Sequence, residues 1–381
     1  MTDSADQDKQ ADEDQLVVAT PHLGQVLDKL DDYGVIPTGS DDSRELGLTL
    51  LKLDADQVRA AALQWPNQQD LDRRPRLDGV LKLLYSYFED RYSGWVPSIG
   101  KNREVLPVIG SHNIGGGGEL PPMQAKEDLP QRGPGPGRGV RVGIADTALY
   151  THPWYAGTYL AAQSALYEDP GDEPHYALGH ATFVAGLILR QAPEATLEVR
   201  QVLDRDAKGD SWNVAKELVL FADSGLDVLN LSFGCFTDDN KPPLVLSTAI
   251  GRLDPRVVVV AAAGNHGKTK DWNKPVWPAA FERVVAVGAT DDSGVRQPWS
   301  PDLTQPWVDT MAPGKDVVST YLPDKARVPE RPDDSPIGPF GGFATWSGTS
   351  FAAARVSGTL AAGIRRDGGP AEALHSLLPP R

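Results

Sequence analysis

The chain of 381 residues holds one cysteine, Cys235, so it has neither a disulfide framework nor a cysteine zinc site. It contains no run of about 18 apolar residues, so no membrane-spanning helix is expected. No basic stretch followed by an apolar one opens the sequence, so no secretory signal is expected either. The location this implies is cytoplasmic, with secretion by another route left open. Positive charge is scarce: 37 Lys and Arg face 52 Asp and Glu, for a net charge of −15. That balance argues against nucleic acid or an anionic membrane as partner. Histidine is also sparse, and none of the seven pairs with another at helical metal-ligand spacing, which makes a catalytic zinc unexpected.

What is present is ordinary for a globular protein, with 40% hydrophobic and 23% charged residues. The length allows a sizeable core and two domains. Residues 1–14 carry six acids against one lysine and read as a solvating tail without fixed structure. Residues 15–105 read as a small α+β domain. "QLVVAT" (15–20) is an expected strand, and Thr20-Pro21 an expected helix start. Gly34 is an expected helix stop, and "ELGLTLLKL" (45–53) an expected second strand. Asp54 is an expected helix cap, and a longer helix is expected over 77–92. The aromatic cluster Tyr85, Tyr87, Phe88, Tyr92 and Trp95 is expected in the core. Residues 106–138 are dominated by glycine and proline and read as a linker or crossing segment.

From Gly139 to 366 the texture changes. The runs "GVRVGIAD", "LEVRQVL", "LDVLNLSFG", "RVVVVAAAGN", "RVVAVGAT" and "DVVST" are apolar without alternation, as in parallel strands buried on both faces. Helices fit between them at 181–191, 212–223 and 244–253, and after 350. The expected fold class is α/β, a mostly parallel sheet with helices on both faces, preceded by the small α+β domain. Reactive groups are then expected beyond the C-terminal strand ends. Residues 367–381 read as a C-terminal tail.

Four polar residues sit at such positions: Asp146 after "RVGIA", His180 opening "HATFVAG", Asn265 after "VVVVAAAG", and Ser350 opening "SFAAARVSG". Each alone is equally a cap, a turn or a satisfied surface group. Ser350 in particular reads both as the start of a buried alanine-rich helix and as a nucleophile at its positive end. Together the four supply what acyl transfer needs. A serine hydroxyl requires a base to take its proton, the base requires a carboxylate, and the oxyanion requires a donor.

The chain order Asp, His, Ser and six ordered segments resemble the subtilisin-like serine proteases over about residues 139–366. The segments are "VGIADTALYTHPWY", "GHATFVAG", "VVVAAAGN", "PAAFERVVAVGATDDSG", "TMAPGKDVVST" and "GTSFAAARVSG". The resemblance implies a serine endopeptidase with Ser350 as nucleophile, His180 as base, Asp146 as its orienting acid and Asn265 as oxyanion donor. Its partner would be a peptide or protein substrate. By the same resemblance Ser232, Phe233 and Gly234 form one wall of the pocket for the side chain before the scissile bond. Ala262, Ala263 and Gly264 form the other, and Val276 its floor. The expected pocket is shallow and takes small or medium apolar side chains.

The chemistry requires no cofactor. Many relatives bind structural calcium, but no EF-hand-like loop supports it here, and "TDDN" (237–240) reads as a solvated turn. Ala148, Phe183, Ala354 and Arg355 depart from the family pattern without removing a catalytic group. Residues 15–105 suit a prodomain that inhibits or assists folding, with "GGGGELPP" (115–122) as the expected cleavage region. The long third helix does not belong to that pattern, and a partner-binding domain with the aromatic cluster as docking surface is the alternative. His22, His112, His152, His175, His266 and His375 are expected to be surface or turn residues. The rival function is a catalytically silent relative that acts as a binding or regulatory module.

Overall fold

A computed structural model describes residues 14–67, 76–108, 121–126, 129–168, 173–329, 335–365 and 368–378. Most of the acidic tail, the "GGGG" stretch and His112 lie outside the described residues. The chain divides into two units. One comprises Met1–Glu104, Asp210–Val219 and Thr237–Arg252; the other comprises Val105–Gly209, Leu220–Phe236 and Leu253–Arg381.

The first unit is built on β1 (Gln15–Ala19), α1 (Leu23–Asp32), β2 (Gly39–Ser43), β3 (Leu48–Lys52), α2 (Ala55–Ala62), α3 (Arg76–Arg91) and β4 (Ile99–Lys101). Its sheet has the order β2-β3-β1-β4, antiparallel throughout. Leu16, Val18, Val26, Leu30, Leu51, Val58, Leu77, Leu84 and Phe88 are buried together as its core. Asp54 caps α2 by accepting from Asp56 N and Gln57 N, as its position at the strand end requires.

Three local expectations differ. Thr20 caps nothing: Thr20–His22 is a 3₁₀ turn with Ala19 at its N-cap, and α1 begins at Leu23. β2 was invisible in sequence because "GSDDS" is polar; it is an edge strand with only Ser43 buried. Of the aromatic cluster only Phe88 is buried, whereas Tyr92 and Trp95 are exposed.

Two helices distant in sequence, Ser211–Val219 and Leu244–Arg252, belong to this unit. Asn102 Oδ1 accepts from Ser211 Oγ and Trp212 N at their helix start. Lys101, with its side chain 1% exposed, bridges Asp78 at 2.7 Å and Asp238 at 3.3 Å. Asp238 of the "TDDN" turn is thus taken up by a lysine.

The second unit contains β5 (whose bounds are Glu104–Pro107), β6 (Arg141–Asp146), β7 (Tyr159–Ala161), α4 (His180–Gln191), β8 (Thr196–Gln201), β9 (Val228–Leu231), β10 (Phe233–Gly234), β11 (Val258–Ala262), β12 (Val284–Thr290), β13 (Thr310–Pro313) and α5 (Thr349–Gly363). Seven strands form a parallel sheet in the order β13-β12-β11-β9-β6-β8-β7. The unalternating valine and alanine runs form its centre because both faces are covered. Both edges, β13 and β7, escaped the sequence reading because they are short and only half-buried. "DVVST" is not part of this sheet: Val317–Thr320 pairs antiparallel with Phe343–Trp346.

Helix α5 is buried nearly all round, as its uniformly small and apolar residues dictate. It crosses α4 closely at Gly358, where a methyl group would come within 2.8 Å of the Ile188 carbonyl oxygen. Phe183 and Phe351 pack between the same helices with ring centroids 4.4 Å apart. A further helix, Pro370–Leu377, lies in the C-terminal stretch. No helix among the described residues is long and apolar enough to cross a membrane.

Candidate active site

Asp146 is the last residue of β6, His180 the first of α4, Asn265 follows β11 by three residues, and Ser350 lies in the first turn of α5. All four are fully buried. His180 Nδ1 lies 2.8 and 2.9 Å from the two carboxylate oxygens of Asp146. A proton on Nδ1 therefore donates to the carboxylate and leaves Nε2 as the free base. Thr147 secures this pair: its hydroxyl donates to Leu178 O and accepts from Ala181 N at the start of α4. Trp346 and Phe351 flank the imidazole with ring centroids 5.8 and 5.6 Å away.

The other half of the site is closed by residues 106–108, at the start of the stretch expected to be a linker. Strand β5 pairs antiparallel with β10, Pro107 opposite Phe233 and Leu106 opposite Gly234. Val108 N then donates to Ser232 O at 3.0 Å. The Val108 carbonyl oxygen accepts from Asn265 Nδ2 at 2.7 Å and from Ser350 Oγ at 3.0 Å. One backbone carbonyl is thus shared by the two groups that acyl transfer places on the scissile carbonyl. Ser350 Oγ also lies 3.3 Å from Ser232 O, and His180 Nε2 has no hydrogen-bond partner among the described residues. Asp146 and His180 are joined directly, whereas Ser350 meets Asn265 through the Val108 carbonyl.

The orientation of Asn265 has a cause that sequence alone did not reveal. Its Oδ1 accepts from both Thr349 N, at 3.0 Å, and Thr349 Oγ1, at 2.9 Å. An oxygen so anchored turns Nδ2 into the cleft. The same Thr349 hydroxyl accepts from Gly264 N at 3.2 Å.

Of the remaining residues expected to line a pocket, Ser232 meets Val108 through its carbonyl oxygen. Ser232 Oγ accepts from Asn230 Nδ2 and lies 3.3 Å from Ser350 O. Ala262 ends β11, opposite Val287, and Ala263 N donates to Val287 O. Gly264 adopts φ +104°, and a methyl group there would strike the His266 ring and Val276. Val276 is fully buried in the core that also holds Val108.

His266 is a correction. It is buried, not a surface or turn residue, with Nε2 on Lys274 O at 2.9 Å and Phe236 and Trp307 around its ring. Burial lowers its pKa to about 4, the Lys274 carbonyl pulling weakly the other way. His152 is buried as well, bonded to Gly342 O and Trp154 N, and burial lowers its pKa too. Cys235 is a buried neighbour of β10.

Residues 137–368 match the model of the subtilase family. The chain is 31% identical over 234 residues to a thermophilic serine proteinase of Bacillus sp. (strain AK1), which covers 58% of this chain and 51% of that protein. Subtilisin BL of Lederbergia lenta is 32% identical over 236 residues, covering 59% of this chain and 76% of the relative. The chain thus spans about half the length of the first relative and three quarters of the second. Among solved structures, a mutant of the protease domain of PatA superposes with a TM-score of 0.50 at 26% identity, covering 62% of this chain and 84% of that one. With its family match spanning the whole parallel-sheet unit from β6 to α5, this chain belongs to the subtilase family.

Proposed function

We propose that the chain is a serine endopeptidase. The observation that carries this reading is the Val108 carbonyl, held at once by Asn265 Nδ2 and Ser350 Oγ beside an Asp146–His180 pair. A substrate strand lies along Ser232–Gly234 as β5 does, its affinity supplied by backbone bonds. Rotation about the Ser350 Cα–Cβ bond brings Oγ to His180 Nε2, whose free lone pair takes the proton as Oγ attacks the carbonyl carbon. The C=O electrons move onto oxygen, where Asn265 Nδ2 and the Ser350 backbone N–H receive them. Collapse expels the amine, which takes the proton from His180, and water repeats the sequence on the acyl-serine. Asp146 holds the imidazole in its tautomer and steadies its charged form. This chemistry uses no cofactor.

The same geometry supports β5 as the enzyme's own first substrate. The bond presented is Val108–Ile109, upstream of the glycine-rich stretch expected from sequence. Residues 1–108 would then remain as an inhibitor through the strand that fills the cleft. A fluorophosphonate probe tests the peptidase reading. It should label the wild type once its cleft is cleared and leave Ser350→Ala unlabelled. A wild type that is cleaved free of β5 by an added protease, stays folded and takes no label would be a silent binding module instead.

A further inference from the structure

We infer that Tyr167 is a positioning residue for the proposed reaction. Its hydroxyl and that of Thr147 together hold the Leu178 carbonyl, and so fix the turn that presents His180 to Asp146. This inference rests on the peptidase reading above.

Helix α4 starts without a cap of its own. Gly179 stands at its N-cap and supplies no side-chain acceptor. A methyl group there would come within 2.2 Å of the Tyr321 ring, so a capping side chain has no room. The end of the turn Tyr176–Gly179 is therefore fastened from outside. Thr147, next to Asp146, donates to Leu178 O at 3.1 Å and accepts from Ala181 N at 3.1 Å. Tyr167 donates to the same carbonyl at 2.9 Å. Tyr321 donates to Tyr176 O, two residues earlier.

Tyr167 is itself held to the segment that follows Asp146. Leu166–Tyr167 pairs in parallel with Leu149–Tyr150, and Thr151 N donates to Tyr167 O at 3.1 Å. The Tyr150 ring lies 5.9 Å from the Tyr167 ring. Tyr167 thus ties the chain just after the acid to the chain just before the base, a second link beside Thr147. Burial raises the pKa of its hydroxyl; the Thr182 hydroxyl pulls it down, and the charge of Asp146 pushes it up. Tyr167 therefore stays protonated and remains a donor at working pH. The link matters because His180 must keep Nδ1 on Asp146 while Nε2 carries the proton. Misplacing such a group by about 1 Å costs on the order of 100-fold in rate.

The test is Tyr167→Phe, which keeps the ring and removes the hydroxyl. Thr147 still holds Leu178 O, so the turn is loosened rather than lost. Rates are measured with the cleft cleared and working sites counted by fluorophosphonate titration. kcat should fall about fivefold, the equivalent of one hydrogen bond. KM should hold, because the strand that receives the substrate is untouched. In a Ser350→Ala background, the proton between His180 Nδ1 and Asp146 should give a far-downfield proton NMR signal. Tyr167→Phe should move that signal upfield and speed its exchange with water. A role in stability alone would lower the unfolding midpoint and move neither kcat nor the signal. A wild-type kcat, a loss carried by KM, or an unmoved signal overturns this inference and leaves the peptidase reading intact. A cleared wild type that takes no label overturns the peptidase reading, and this one falls with it.

Discussion

Thr349 is the residue whose removal best separates positioning from binding. Its hydroxyl donates to Asn265 Oδ1 at 2.9 Å and accepts from Gly264 N at 3.2 Å, both inside the protein. Thr349→Val keeps the shape and removes both bonds. The lost bond to Asn265 costs about 1 kcal/mol net, and the stranded Gly264 N–H a further 1–3 kcal/mol or so. Stability should therefore fall by about 2–4 kcal/mol. Asn265 keeps its bond from Thr349 N, so its amide is loosened without being freed. A loss of about 1.4 kcal/mol in oxyanion stabilisation lowers kcat roughly tenfold. KM should hold, because the contacts of the substrate strand with Ser232–Gly234 are untouched. Thr349→Ser restores the hydroxyl and should return kcat to within about twofold, a fraction of the 1.4 kcal/mol that a tenfold change represents. The assay is steady-state hydrolysis of one peptide, well below each variant's unfolding midpoint. If the valine variant turns over at the wild-type rate, or the serine variant is equally slow, Thr349 does not position Asn265.

Three further outcomes are expected. Intact mass and N-terminal sequencing should find wild-type product beginning at Ile109, with Ser350→Ala left whole; a first cut within residues 115–118 would contradict the docking of Val108. Burial lowers the pKa of His266 to about 4 and that of His152 below its usual value, while unfolded imidazoles titrate near 6.5. Between those values the unfolded chain binds protons that the folded chain refuses, so stability present above about pH 6.5 declines as pH falls. His266 alone contributes about 3 kcal/mol to that decline, which levels off below its folded pKa. Urea unfolding of Ser350→Ala at several pH values measures the slope, and a slope unchanged by His266→Gln would remove His266 as its cause. Lys101→Met leaves Asp78, only 14% exposed, and Asp238 without their lysine. It should destabilise the first unit by about 3–5 kcal/mol in chemical unfolding. A midpoint equal to the wild type's would show the triad to be energetically neutral.

The central strands were legible because a strand covered on both faces must be apolar without alternation, and β6, β9, β11 and β12 are. Asp146, His180, Asn265 and Ser350 were legible because each stands where a strand ends or a helix begins, in a fixed chain order. Strands whose pairing is supplied by a neighbour were not legible. Gly39–Ser43 is polar and held by β3, while Tyr159–Ala161 and Thr310–Pro313 carry too little buried surface to mark themselves. His266 read as a turn residue because nothing local shows that Phe236 and Trp307 will close over it. The largest gap was Val108. Its neighbours, "EVLPVIG", are an ordinary apolar run before a glycine-rich stretch, and its meaning lies 242 residues away at Ser350. Only the antiparallel pairing with Phe233–Gly234 sets which carbonyl of that run reaches Asn265, because a slip of one residue would turn every side chain to the other face. The proposed cleavage position is therefore a property of register, which the fold determines. The four proposed catalytic positions are a property of strand and helix ends, which the sequence marks locally.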